Sequence, residues 1–154
     1  MYSPVNVRSL MIYLMLFILF FIAAIDKKSQ TIPNELVTLC ACLSVVYVFF
    51  LNDKTVLEHI LGIFCVSGIM IVINIFVPNS FGGGDIKLMA VMGFFLGAKL
   101  CINAFFIAVF GAGVYAVLLF IKGRKKETFA FGPFLCIAIT AVLLIEEQLL
   151  WMHC

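Results

Sequence analysis

Long apolar runs broken by short polar clusters organise this chain. Leu10 to Ile25 carries no charge and ends at Asp26-Lys27-Lys28. Pro33 and Asn34 open a second run, Leu36 to Leu51, which closes at Asn52-Asp53-Lys54. A third run, Val56 to Val77, stops at Pro78, and the glycine-rich Phe81-Gly82-Gly83-Gly84-Asp85 follows. Ile86 to Ile121 is too long for one membrane helix and slightly short for two of about 20 residues, so two helices meeting near Lys99 are expected, the first short. After the basic stretch Lys122 to Glu127, a last run from Phe129 to Ile145 ends at Glu146 and Glu147. The pattern predicts an all-α integral membrane fold, a bundle of six transmembrane helices over about 9–25, 35–51, 56–77, 86–98, 101–121 and 129–147, forming a single membrane-embedded domain. The first run resembles a signal peptide in length. It lacks a small-x-small cleavage pattern, and its positive charges mostly follow it, so it reads as a retained span.

Composition agrees. Hydrophobic residues make up 65% of the 154 and charged residues 12%, against roughly 45–50% and 25% in a soluble domain. So small a core could not bury that much apolar surface, so the solvent for the outer faces is lipid. Six spans leave only about 34 residues for loops and termini, so any chemistry must come from the helices and their short connections. A net charge of +2 gives no reason to expect nucleic acid as a partner. Five of the six cysteines lie in apolar runs and none forms a C-x-x-C pair; they read as small core hydrophobes rather than metal ligands. No metal and no cofactor is expected.

The charges orient the bundle. With both termini on the outer side, the cytoplasmic connections hold Lys27, Lys28, Lys87, Lys122, Arg124, Lys125 and Lys126, and the outer side holds Arg8, Lys54 and Lys99. That excess follows the positive-inside tendency. Merging the fourth and fifth helices would put the loop Lys122 to Lys126 outside, so six spans are preferred. The loop itself is first of all a topology determinant, with anionic lipid or a partner's acidic surface as a secondary contact.

Most catalytic signatures are missing: no H-E-x-x-H, no G-x-S-x-G, and no P-loop, the triple glycine lacking its G-K-S/T. His59 and Ser67 share a helix but stand about 12 Å apart along it, a poor nucleophile–base pair. Asp26 and Asp85 remain, both on the cytoplasmic side. Each has an ordinary structural reading, Asp26 as a boundary charge and Asp85 as a helix N-cap. The short fourth helix and its glycines strengthen a chemical one. A carboxylate drawn toward the membrane centre costs roughly 2.5–3.5 kcal/mol, and such residues are usually functional. Glycine-rich backbone at that depth needs a protein-lined or wet cavity, and the glycines would let an extended peptide approach Asp85. Two carboxylates in one cleft share a proton near neutrality; the ionised one deprotonates water and the protonated one polarises a carbonyl.

These residues resemble the prepilin peptidases, the type IV leader peptidases among the GxGD membrane aspartic proteases. Asp26 followed by Ile32-Pro33-Asn34 is similar to their first signature, and Gly82-Gly83-Gly84-Asp85-Ile86-Lys87 to their Gly-x-Gly-Asp signature with its lysine. Phe131-Gly132-Pro133-Phe134 resembles the Phe-Gly-Pro-Phe that opens their last helix. The resemblance implies a multi-pass endopeptidase of the bacterial cytoplasmic membrane, with Asp26 and Asp85 catalytic. Its partner would be a type IV pilin-like precursor, a short basic leader followed by an apolar helix. Gly82, Gly83 and Gly84 would shape the catalytic loop, Lys87 would tune Asp85, and Ile32, Pro33, Asn34, Gly132 and Pro133 would set the starts of helices 2 and 6. Both prolines stand where a missing N–H costs little, so they also have a purely structural role. The family's N-methyltransferases carry an additional N-terminal region, often with C-x-x-C pairs; the chain shows none, so product methylation is not expected. Its small size resembles the peptidases of tight-adherence (Flp-type) pilus systems. Presenilin-like proteases place a tyrosine before the first aspartate, where this chain has Ile25. A six-helix transporter or assembly scaffold without protease activity is the non-enzyme alternative.

Overall fold

The computed structural model describes residues 4–51, 55–78, 80–122 and 130–153. Lys54, Arg124, Lys125, Lys126 and Phe129, which entered the topology and span expectations, lie outside the described residues. The described residues form six helices: α1 (Pro4–Ser29), α2 (Asn34–Leu51), α3 (Val56–Phe76), α4 (Gly83–Leu96), α5 (Ala98–Ile121) and α6 (Gly132–His153). Three are long and apolar enough to cross a membrane: Val7–Ser29 within α1, Val56–Phe76 and Ala98–Ile121. Asn34–Phe50 is apolar but shorter.

Apolar side chains lie on all sides of these helices, as expected where lipid replaces water. Phe20, Phe50, Phe76 and Phe110 are largely exposed. The interior is built from slimmer or more pliable groups: Met15, Leu19 and Ile22 on α1, Met89 and Met92 on α4, Leu135 and Ile139 on α6, all fully buried. Methionine adapts to irregular gaps between helices. α4 packs against α2, α3, α5 and α6, while α1 packs against α2 and α6. Among the described residues α1 and α4 make no helix-to-helix contact.

The fourth helix begins earlier and the break after it comes sooner than the pattern suggests. α4 starts at Gly83 rather than Ile86, because Gly82 is its N-cap and the Gly82 carbonyl accepts the Ile86 N–H at 3.2 Å. α4 and α5 are separated only by Gly97, two residues before Lys99. Gly97 has φ 82° and donates its N–H to the Gly93 carbonyl at 2.9 Å. A positive φ is free for glycine and strained for other residues, so the turn is written by Gly97 and not by the lysine.

α3 and α4 meet backbone to backbone. A side chain at Gly62 would run into the Gly93 carbonyl, and one at Gly93 into the Gly62 carbonyl. Small residues that let helix backbones touch are the usual device for packing helices in lipid. Beside this crossing His59, fully buried, donates from Nδ1 to the Phe94 carbonyl at 2.6 Å, and the Ser67 hydroxyl donates to the Ile63 carbonyl. Both groups are engaged with backbone, and neither pairs with the other. At one end of the bundle Arg8 donates from Nε to the Tyr47 hydroxyl at 3.0 Å, and the Tyr47 ring lies 4.4 Å from that of Phe95.

Candidate active site

Three chain turns converge at one end of the bundle. The first ends α1. Gln30 adopts φ 52° and its N–H reaches the Asp26 carbonyl at 2.8 Å, an αL-type helix end. Ser29 Oγ donates to the Ile25 carbonyl at 2.9 Å, and Thr31 Oγ1 donates to the Ser29 carbonyl at 3.0 Å. Hydroxyls thus hold the turn that carries the chain from Asp26 to Ile32. Pro33 precedes α2, and its carbonyl accepts the Val37 N–H at 3.3 Å.

The second turn leads into α4. Asn74 on α3 brackets Phe81: its Nδ2 donates to the Phe81 carbonyl at 3.0 Å, and its Oδ1 accepts the Phe81 N–H at 3.1 Å. The following glycines then start the helix. Asp85 is the third residue of α4 rather than its N-cap. Its carboxylate faces back toward the Gly82 N–H, the arrangement by which an N3 acid serves an N-cap donor.

The third turn starts α6. The Phe131 carbonyl accepts the N–H groups of Phe134 and Leu135 at 3.0 and 3.2 Å, and Pro133 sits in the first turn, where its missing N–H costs nothing. The Phe131 ring lies 5.3 Å from that of Phe81, joining this turn to the second.

Gly132 is where the two aspartates meet. A Cβ there would overlap Asp26 Oδ2 and lie 3.3 Å from Asp85 Oδ1. Asp26 is 4% exposed and Asp85 7%. The two oxygens that face this point, Asp26 Oδ2 and Asp85 Oδ1, are buried and have no hydrogen-bond partner; one other described side-chain oxygen is alike, Glu147 Oε1 near the far end of α6. The Gly132 N–H faces the Asp26 carboxylate. Two close, buried carboxylates cannot both ionise cheaply, so one bound proton is the natural state of such a pair. Among the described residues no three His, Cys, Asp or Glu side chains are grouped to hold a metal ion.

The other residues singled out in the sequence divide sharply. Gly84 lies against Ile32, whose Cβ would be 2.9 Å from a side chain at that position. A Cβ at Gly82 would lie 3.3 Å from Asp85 Oδ2. Nothing in the structure explains Gly83, which has open space around it. Lys87 Nζ donates to Asn34 Oδ1 at 3.1 Å, so the lysine clasps the start of α2 and does not reach the carboxylates by that bond. Asn74, Phe81 and Cys136 carry no motif signal in the sequence. Cys136, one turn beyond Gly132 on the same helix face, is buried within electrostatic reach of both aspartates.

With this geometry in view, comparisons with known proteins agree in one direction. Residues 13–117 match the type IV leader peptidase family. The match includes both aspartates. Over 54 residues the chain is 44% identical to the prepilin leader peptidase/N-methyltransferase of Bacillus subtilis (strain 168). That alignment covers 34% of this chain and 22% of the relative, so the chain matches about a fifth of that protein's length. No solved structure matches. The family match over most of the chain makes this protein a member of the type IV leader peptidase family.

Proposed function

We propose that this protein is a membrane aspartic endopeptidase that removes the short basic leader of type IV pilin-like precursors at the cytoplasmic face of the membrane. The observation that carries the reading is the pair of buried, unpartnered carboxylate oxygens brought together at Gly132. The ionised carboxylate takes a proton from water as the water oxygen attacks the scissile carbonyl carbon. The protonated carboxylate donates to the carbonyl oxygen, giving a neutral gem-diol. Collapse breaks the C–N bond: the nitrogen leaves with the proton from the pair, the gem-diol gives a hydroxyl proton to the other carboxylate as it becomes the product carboxylic acid, and the pair is again singly protonated. The acid and base roles belong to the pair as a unit.

Gly132 leaves the space between the carboxylates free of side chain, where water and a peptide carbonyl would have to fit. Six spans with both termini outside fit the excess of Lys and Arg on the side that carries the aspartates. In that topology the leader stays in the cytoplasm and the apolar segment stays in the membrane.

Purified protein mixed with a pilin-like precursor in detergent or vesicles should yield a product shortened by its leader on a gel. Asp26→Asn and Asp85→Asn proteins, inserted at normal levels, should yield none. Substantial processing by either variant overturns the two-aspartate mechanism. Stable binding of precursors with no shortening by the unsubstituted protein would favour a scaffold.

A further inference from the structure

A cavity of about 560 Å³ lies beside the aspartate pair, walled by Ala23, Ala24 and Lys27 of α1, Tyr115 of α5, and Phe134 and Ile137 of α6. Among the described residues α1 and α5 do not pack on one another, so the cavity is a groove between them with α6 as its floor. The Tyr115 and Phe134 rings, 5.5 Å apart, stiffen one wall. We propose that this groove binds the apolar helix of the precursor that lies immediately beyond the cut, and so positions the scissile bond. The inference rests on the peptidase reading above.

Three features favour a polypeptide occupant. The groove begins where the chemistry ends: Lys27 follows Asp26 in the chain, and Pro133, another of its lining residues, follows Gly132. A chain leaving the carboxylates can therefore enter the groove without crossing another element. The α1 wall is lined by alanines, and small residues allow a second helix backbone to approach closely, a closeness that an acyl chain does not require. The groove's charged group, Lys27, stands at the end nearest the aspartates, with Gln30 beside it. There a substrate must pass from an extended scissile segment to a helix, leaving carbonyls that no helical N–H serves. In a membrane such carbonyls need a donor, and the Lys27 ammonium can supply one. Deeper, along roughly 10 Å of α1 from Lys27 to Phe20, the walls are mainly apolar, matching about two turns of an apolar helix.

Two experiments test this on the full-length protein in vesicles. In the first, p-benzoylphenylalanine replaces Ile137 in the Asp85→Asn protein, and intact precursor is added before irradiation. The expected adduct maps to the precursor's apolar segment, and the same label at Phe64, a lipid-exposed position on α3, gives none. In the second, Ala24→Trp fills the groove and should raise KM for the precursor about tenfold while kcat changes little. An adduct with lipid alone, or an Ala24→Trp protein that inserts normally and keeps the unsubstituted KM, overturns the groove assignment and leaves the peptidase reading intact. Failure of the unsubstituted protein to shorten any precursor overturns both. If Ala24→Trp fails to insert, the adduct at Ile137 decides by itself.

Discussion

Glycine brings backbone into close contact at two places in this molecule, with opposite results. At the crossing of α3 and α4, Gly62 and Gly93 let two carbonyl-bearing backbones touch, and the buried polar groups nearby are satisfied: His59 by Phe94 and Ser67 by Ile63. At the loop end, Gly132 brings a helix start against two carboxylates, and the oxygens facing it have no partner. The first site resembles ordinary membrane helix packing, where close approach strengthens van der Waals contact. The second spends the same freedom on leaving costly groups exposed to one another and to whatever enters. Buried polar groups without partners are rare in folded chains, and each calls for an explanation. Here two meet at one point, which is what a site awaiting water and a peptide would look like.

The comparison can be broken most severely at the carboxylates. On the proposed mechanism Asp26→Asn and Asp85→Asn should each lower the initial rate of leader removal by at least about 10³-fold, since each would remove a proton-transfer group and leave binding surfaces in place. Quantitative gel assays with matched membrane levels measure this. The expected pH profile follows from the same pair. Lowering the pH protonates both carboxylates and removes the base; raising it strips the shared proton and removes the acid. The rate should therefore be bell-shaped in pH, with both limbs belonging to the pair. A flat profile through both limbs, with the precursor still bound, would argue that the carboxylates are structural.

Exchanging alanine for glycine sharpens the contrast between the two ends. Gly132→Ala pushes a methyl group into Asp26 and should cost about 10²-fold or more in rate, with only a small change in thermal melting. Gly93→Ala forces α3 and α4 apart, and overpacking of this kind typically costs about 1–3 kcal/mol. It should lower the melting temperature in detergent while the surviving folded fraction keeps its turnover number. The reverse assignment of losses would mean that the two glycine sites have been read the wrong way round. The smallest effect is expected at the loop clasp. Lys87→Met removes an exposed hydrogen bond to Asn34, about 1 kcal/mol or less, so the rate should fall by no more than several-fold. Asn34→Ala in the same background should add little, which a double-mutant cycle would measure.

Much of this was legible in the sequence because the signals are local. Apolar run length predicts helices, and α2 and α3 lie within a residue of the expected 35–51 and 56–77. Asp26 and Asp85, separated by 59 positions, could be paired only through motifs, and the structure brings them together at Gly132. Gly84 against Ile32 and Lys87 against Asn34 make the first two motifs two halves of one clasp. Other parts were not legible. An asparagine in an apolar run does not announce that it will bracket Phe81, because that depends on where the next loop folds back. The fourth helix starts at Gly83, three residues before the expected Ile86, for a related reason. Three glycines read as loop by propensity, yet Gly83 and Gly84 are helical once Gly82 caps the helix and Asp85 faces its N–H.

The sequence by itself determined that the chain is helical and apolar enough to live in lipid, that its charges cluster at the connections, and that two aspartates stand at the ends of such connections. Those properties follow from side-chain transfer energies and from run lengths, which need no neighbour to be defined. Only the tertiary structure decided that α1 and α4, which do not pack on each other, still deliver their carboxylates to one point. That outcome depends on α6 starting at a residue with no side chain, between them. Position in space, unlike hydropathy, is a property of the whole packed bundle.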